Sequence, residues 1–148
     1  MSYVKVWIHV VWGTKSREPI LTKEARAILF PHIKENAKNK GIYIDTVNGY
    51  LEHVHCLIAL NADTSISKTL QLIKGEASKW LNEQGVIKDK LEWAHEYFAI
   101  SVSESIVEKV REYIKNQEEH HKRMDFKTEF VALLKKHGVE FDPKYVLG

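Results

Sequence analysis

Two histidines, His53 and His55, stand in the stretch Gly49-Tyr50-Leu51-Glu52-His53-Val54-His55-Cys56-Leu57-Ile58 with only Val54 between them. Side chains alternate across a strand, so both imidazoles face one way, about 7 Å apart along the chain. Val54, Cys56 and Ile58 face the other way, into a core. Imidazoles held like that can share one metal ion and leave its other positions open for a substrate. The competing reading is a pair of half-buried histidines on an amphipathic strand. A second pair, Tyr113 and Gln117, is four residues apart and shares one face of a helix. That face is offset from the apolar stripe of Ile106, Val110 and Ile114, which leaves both side chains free of packing. A glutamine carbonyl can be the third ligand of a hard cation, and a tyrosine one turn away reaches a phosphate bound to that cation. Alone, the same spacing also describes a solvated helix surface. A phenol with pKa near 10 is only about 0.1% ionised at neutral pH, so as a nucleophile it needs such help.

The elements that must position these groups are readable from periodicity. Val4, Val6, Ile8, Val10 and Trp12 alternate with Tyr3, Lys5, Trp7, His9 and Val11, a first strand. Residues 13–19 form a loop. Thr22 caps a helix that ends near Gly41 and that Pro31 should kink or split. Ile42, Ile44 and Val47 mark a second strand, and Asn48-Gly49 is a hairpin signal leading into the histidine strand. Thr64 or Ser65 opens a helix with Ile66, Leu70, Ile73, Ala77 and Trp80 or Leu81 along one side, stopping near Gly85; residues 97–102 are a fourth strand. The order strand, helix, strand, strand, helix, strand is the ferredoxin-like arrangement, an α+β fold with a four-stranded antiparallel sheet. Two further helices follow, about 103–122 and 125–137. Both core helices cover one sheet face. The other face is expected to be open and to carry His53 and His55 beside Lys5, Trp7 and His9, a mixture suited to a nucleic-acid strand.

A length of 148 residues fits one domain, with a core over 1–102, the tyrosine helix at about 103–122 and a C-terminal helix and tail over 125–148. A net charge of +2 and a pI near 8.5 permit nucleic-acid binding without arguing for it. The single cysteine, Cys56, rules out an internal disulfide and reads as a buried, inert thiol. No secretion signal precedes the first strand and no apolar run spans a bilayer, so a soluble cytoplasmic protein without membrane contact is expected.

Taken together, the two pairs resemble the single-tyrosine HUH transposases (the transposase A type, including the REP-associated tyrosine transposases), which move hairpin-ended bacterial insertion sequences through single-stranded DNA. The resemblance rests on His53-Val54-His55 after an Asn-Gly hairpin and on Tyr113-Ile114-Lys115-Asn116-Gln117. Ile8-His9-Val10-Val11-Trp12-Gly13-Thr14-Lys15, Leu72-Ile73-Lys74-Gly75-Glu76-Ala77-Ser78 and Trp93 through Phe98 look like further family landmarks, in order along nearly the whole chain. Glu52 departs from the aspartate that many relatives have. The resemblance implies that His53, His55 and Gln117 bind a divalent ion, magnesium or manganese, although the ligand types also suit zinc. It implies that Tyr113 is the nucleophile, releasing a 3′-hydroxyl and retaining the 5′ end of the DNA. It also implies a homodimer in which the tyrosine helix of one subunit completes the metal site of the other. The residues alone leave open whether Tyr113 acts in cis or in trans.

Around this set, Lys74 and Lys79 beside Gly75, and Lys15 and Arg17 in the first loop, are candidate DNA contacts, with solvated lysines as the plain alternative. His9 supports the site or packs, and His121 competes as a ligand or ends a basic helix. Trp80 and Trp93 read as core, Glu118 and Glu119 as a solvated face, and Phe126, Phe130, Leu133 and Leu134 as packing against the body or a partner. Two other functions compete. One is a domesticated relative that binds hairpin DNA or processes palindromes without transposition. The other is a histidine-triad hydrolase, which needs a third histidine where Leu57 stands.

Overall fold

The computed structural model describes residues 2–144 and 146; the ends of the expected domain, Met1 and, in the tail, Tyr145, Leu147 and Gly148, lie outside the described residues. The elements are β1 (Trp7–Thr14), α1 (Lys23–Asn39), β2 (Tyr43–Gly49), β3 (His53–Ala59), α2 (Ile66–Gln84), β4 (Trp93–Val102), α3 (Val107–Lys115), α4 (Gln117–His120) and α5 (Phe126–Lys136). The four strands form one antiparallel sheet in the order β2-β3-β1-β4, the expected ferredoxin-like topology.

Local chemistry explains most boundaries. Thr22 caps α1 by accepting from the Ala25 N–H at 3.1 Å, and Ser65 caps α2 by accepting from Lys68 at the same distance. Gly85 takes φ 67° and ends α2 in the left-handed region. Pro31 neither splits α1 nor ends it. The proline lies on the exposed side, so the backbone bond it forfeits is on the water-facing surface of one continuous helix. Strand β4 starts four residues earlier than its apolar pattern suggests, because Trp93 pairs with Thr14 beyond a register shift in β1.

The Asn48-Gly49 pair is not the turn. Both residues stay in β2, and the chain reverses at residues 50–52, closed by Tyr50 N–H to His53 O at 3.1 Å. Gly49 is required for a different reason: a Cβ there would sit 2.1 Å from the His53 carbonyl oxygen.

Helices α1 and α2 cover one face, where Val10, Trp12, Val54, Cys56 and Ile58 meet Leu29, Ile33, Leu70 and Leu81. Burial pushes the Cys56 thiol well above its usual range, which keeps it un-ionised. The opposite face is not open as expected. Trp7 and Leu57 pack under Val107 and Ile114 of α3, while Val11 and Phe98 pack under Phe126, Phe130 and Leu134 of α5. Every residue of β1 is therefore buried. Lys5 lies before the strand and pairs with Glu104 at 3.0 Å rather than joining the sheet face. The single helix expected over 103–122 is broken at Asn116. The Asn48 amide donates to the Ile114 and Lys115 carbonyls, 3.0 Å each, and so ends α3.

Candidate active site

The covered face holds the chemistry. In the β1–β3 ladder Gly13 stands opposite His53 and Val11 opposite His55, which puts His9 diagonal to His55 on the same face. His9 Nε2 lies 2.9 Å from His55 Nδ1, with the rings stacked at 5.1 Å. On the other imidazole, His53 Nδ1 donates to Glu52 Oε1 at 2.7 Å. Phe126 stacks on His53 at 4.0 Å, and Gly13 makes room for it, since a Cβ there would be 3.0 Å from Phe126 Cε2. Second partners of this kind fix ring orientation and direct the two Nε2 atoms into the same space.

Helix α3 is tied to its own β2. Arg111 makes a two-pronged pair with Asp45 at 2.8 and 2.9 Å, and this guanidinium holds the Asp45 carboxyl below its usual range. With the Asn48 cap, this brings Tyr113 and Gln117 over the histidines. Gln117 is fully buried and its Oε1 lies 2.9 Å from His53 Nε2; Tyr113 is half-buried, with its ring 5.8 Å from that of His55. Both therefore lie within the packed side of α3 and α4 and not on a separate free face.

Glu129 of α5, which the sequence reading passed over, sits at the centre. Its Oε1 is 3.2 Å from His55 Nε2, 3.4 Å from His53 Nε2 and 3.0 Å from His121 Nε2. Its Oε2 accepts from Gln117 Nε2 at 3.0 Å and from the Tyr113 hydroxyl. Position 129 lies on the apolar stripe of Phe126, Phe130, Leu133 and Leu134, where a charge is out of pattern, and that was the available signal.

The donors and acceptors here do not balance. Gln117 Nε2 is committed to Glu129, so Oε1 faces His53 as an acceptor. A neutral His53 has one proton for two acceptors, Glu52 and Gln117. His120 Nε2 is buried 3.2 Å from Glu129 Oε2 and makes no hydrogen bond. Such a convergence of lone pairs suits a cation. One ligand atom each from His53, His55 and Glu129 lies within 4.8 Å of the others. Ligands at adjacent corners of an octahedron with bonds of about 2.1 Å are about 3 Å apart, close to the 2.9, 3.2 and 3.4 Å spacings found. The residues fit a divalent ion.

Burial lowers His9 to about 3, aided by His55, and lowers His55 to about 4 against the pull of Glu129, so both rings are neutral at pH 7. Burial raises Glu129, but His121 and His55 more than offset it and hold the carboxylate ionised. Burial first, then the Glu129 charge, pushes the Tyr113 phenol well above its usual range.

Of the candidate DNA contacts, Lys74 and Lys79 lie apart from this cluster. A groove of about 820 Å³ runs between α2 and β4, lined in part by Lys74, Gly75, Lys79, Trp93 and Tyr97. Lys74 donates to the Ala94 carbonyl at 2.9 Å, and burial lowers its pKa. Lys15 pairs with Glu92 on the same rim at 3.5 Å, while Arg17, exposed and with a positive φ of 54°, is near enough to Asp125 at the start of α5 to help Thr128 hold that carboxyl below its usual range. Trp80 stacks on His32 at 3.8 Å, and Trp93 packs edge-on to Trp12. Among the described residues no helix is long and apolar enough to cross a membrane.

Comparison with known proteins places this geometry in a family. The family model for IS200-like transposases matches residues 2–117, ending at Gln117 and leaving α5 beyond it. The ISDra2 transposase TnpA of Deinococcus radiodurans is 25% identical over 114 residues, 74% of this chain and 81% of that protein. A structure described as a transposase of Deinococcus radiodurans superposes with a TM-score of 0.62 at 23% identity, covering 79% of this chain and 95% of the other. A REP-associated tyrosine transposase bound to a REP hairpin gives 0.57 at 18% identity, covering 82% and 72%. With most of its length matched and the ferredoxin-like sheet in place, the chain belongs to the family of IS200-like transposases.

Proposed function

We propose that this protein is a single-tyrosine HUH transposase that cuts and rejoins single-stranded DNA through a 5′-phosphotyrosine intermediate, with Tyr113 as nucleophile. The observation that carries the reading is the Tyr113 ring 5.8 Å from that of His55, with its hydroxyl donating to Glu129 beside the His53, His55 and Gln117 cluster, in a chain of this family. His53, His55 and Gln117 hold the divalent ion, magnesium or manganese, with His9 and Glu52 orienting the imidazoles. When bound, that ion polarises the scissile phosphate and stabilises the charge that develops on it.

Tyr113 Oη attacks the phosphorus. The Oη–P bond forms as the bond from phosphorus to the 3′ oxygen breaks, the phenol gives up its proton, and the departing oxygen takes one up. The products are a free 3′-hydroxyl and a 5′ end attached to the enzyme. One phosphodiester replaces another, so a different 3′-hydroxyl reseals the strand by the reverse step and no nucleotide triphosphate is consumed. With α3 docked on its own β2 through Arg111 and Asn48, we take the site to work in cis. A homodimer, as the family resemblance implies, then needs no exchange of tyrosine helices. Residues 1–148 act as one transposase domain in the cytoplasm. A DNA hairpin is the recognised form, a reading supported by the structural relative bound to one. Lys74 and Lys79 in the α2–β4 groove, with Lys15 and Arg17, contact its backbone.

The test is covalent capture. Purified protein with magnesium or manganese is mixed with labelled oligonucleotides from both strands flanking its gene and run on a denaturing gel. An adduct from wild type that is absent from Tyr113→Phe and His55→Ala supports the reading. Tight hairpin binding without any adduct would replace it with a domesticated, hairpin-binding role.

A further inference from the structure

The helix beyond the family-matched residues is a short amphipathic one, and its inward side is apolar except at Glu129. A carboxylate that is 2% exposed is costly to bury, and an apolar side chain at that position would pack without this cost. The surroundings of Glu129 are four imidazoles, a phenol and an amide.

The two oxygens are divided between two tasks. Oε1 faces the Nε2 atoms of His53 and His55, and Oε2 takes the Tyr113 hydroxyl and the Gln117 amide. Two neutral imidazoles and an amide give a dication no negative charge, whereas magnesium and manganese prefer carboxylate oxygen. We infer that Glu129 is a catalytic residue serving both halves of the site: Oε1 is a ligand of the divalent ion beside His53 and His55, and Oε2 holds the Tyr113 hydroxyl toward it. The inference rests on the transposase reading for the role of Tyr113. It adds a carboxylate, supplied from outside the matched part of the chain, that couples nucleophile to metal.

The test is a manganese titration of the full-length protein, by calorimetry and by the spin-resonance signal of the ion, without DNA. Wild type, Glu129→Gln, Glu129→Ala and Glu129→Asp are compared, with circular dichroism confirming that each is folded. The expected result is a loss of manganese affinity of at least ~10-fold in the Gln and Ala variants and partial recovery in Asp. At saturating manganese, Gln and Ala also form the DNA adduct more slowly. Unchanged manganese affinity in Glu129→Gln overturns the ligand role. Faster adduct formation by Glu129→Ala overturns the whole inference, because the carboxylate would then only plug the site. Wild type that binds manganese but captures no DNA from its own flanks would count against the functional reading instead, while the same titration still decides the ligand.

Discussion

Replacing Gly49 by alanine tests whether the hairpin geometry sets the histidine site. The new Cβ would lie 2.1 Å from the His53 carbonyl oxygen and 3.1 Å from Val54 Cα, and real Cβ atoms essentially never approach closer than 3.0 Å. The two strands must therefore separate locally by at least 0.9 Å, the shortfall between those distances. The atoms that move are backbone, so no side chain can relieve the contact by rotating. The displaced residue is His53, whose ring lies between Glu52, Gln117 and Phe126. A misplacement of about 1 Å in a reacting assembly costs on the order of 100-fold in rate. The strained turn bond from Tyr50 to His53 adds about 1 kcal/mol of lost stability. The assay is single-turnover adduct formation well below the melting temperature, with melting followed in parallel. A Gly49→Ala protein that captures DNA within threefold of wild type would refute the reasoning, since the site would then tolerate the shift.

Mixing Tyr113→Phe with His55→Ala protein should restore no adduct, because one chain supplies both groups; recovery in the mixture would show that the tyrosine helix crosses to a partner. Ile114→Ala, at a fully buried position against Trp7, Leu57 and Val102, should lower stability by about 2–5 kcal/mol in urea denaturation, and an unchanged midpoint would contradict the docking of α3. Stability of the metal-free protein should rise with pH between about 4 and 6.5 and then level off. Burial holds His55 near 4 and His9 near 3, so across that window the unfolded chain binds more protons than the folded one. A melting temperature that is flat from pH 4.5 to 6.5 would count against two buried neutral imidazoles.

The βαββαβ order was legible because its signals are local: alternation in β1 and β3, caps at Thr22 and Ser65, and left-handed glycines at Gly41 and Gly85. Asn48-Gly49 misled for a tertiary reason. The asparagine amide caps α3 and the glycine admits the His53 carbonyl, so the pair acts across the sheet and not as a turn. The covered second face was missed because the apolar residues of α3 and α5 do not say which surface they meet. The His53–Val54–His55 and Tyr113–Gln117 spacings predicted shared faces, and the structure does bring the four residues together. Glu129 lies 74 residues from His55, and nothing in sequence spacing joins them. Only a charge on an apolar stripe marks it.

The most direct test of the central claim is to digest the trapped protein–DNA adduct with protease and nuclease and locate the modified residue by mass spectrometry. The account predicts a tyrosyl 5′-phosphodiester on Tyr113, with the released fragment ending in a 3′-hydroxyl. A linkage to any other residue, or a 3′-phosphate attached to the enzyme, would contradict it.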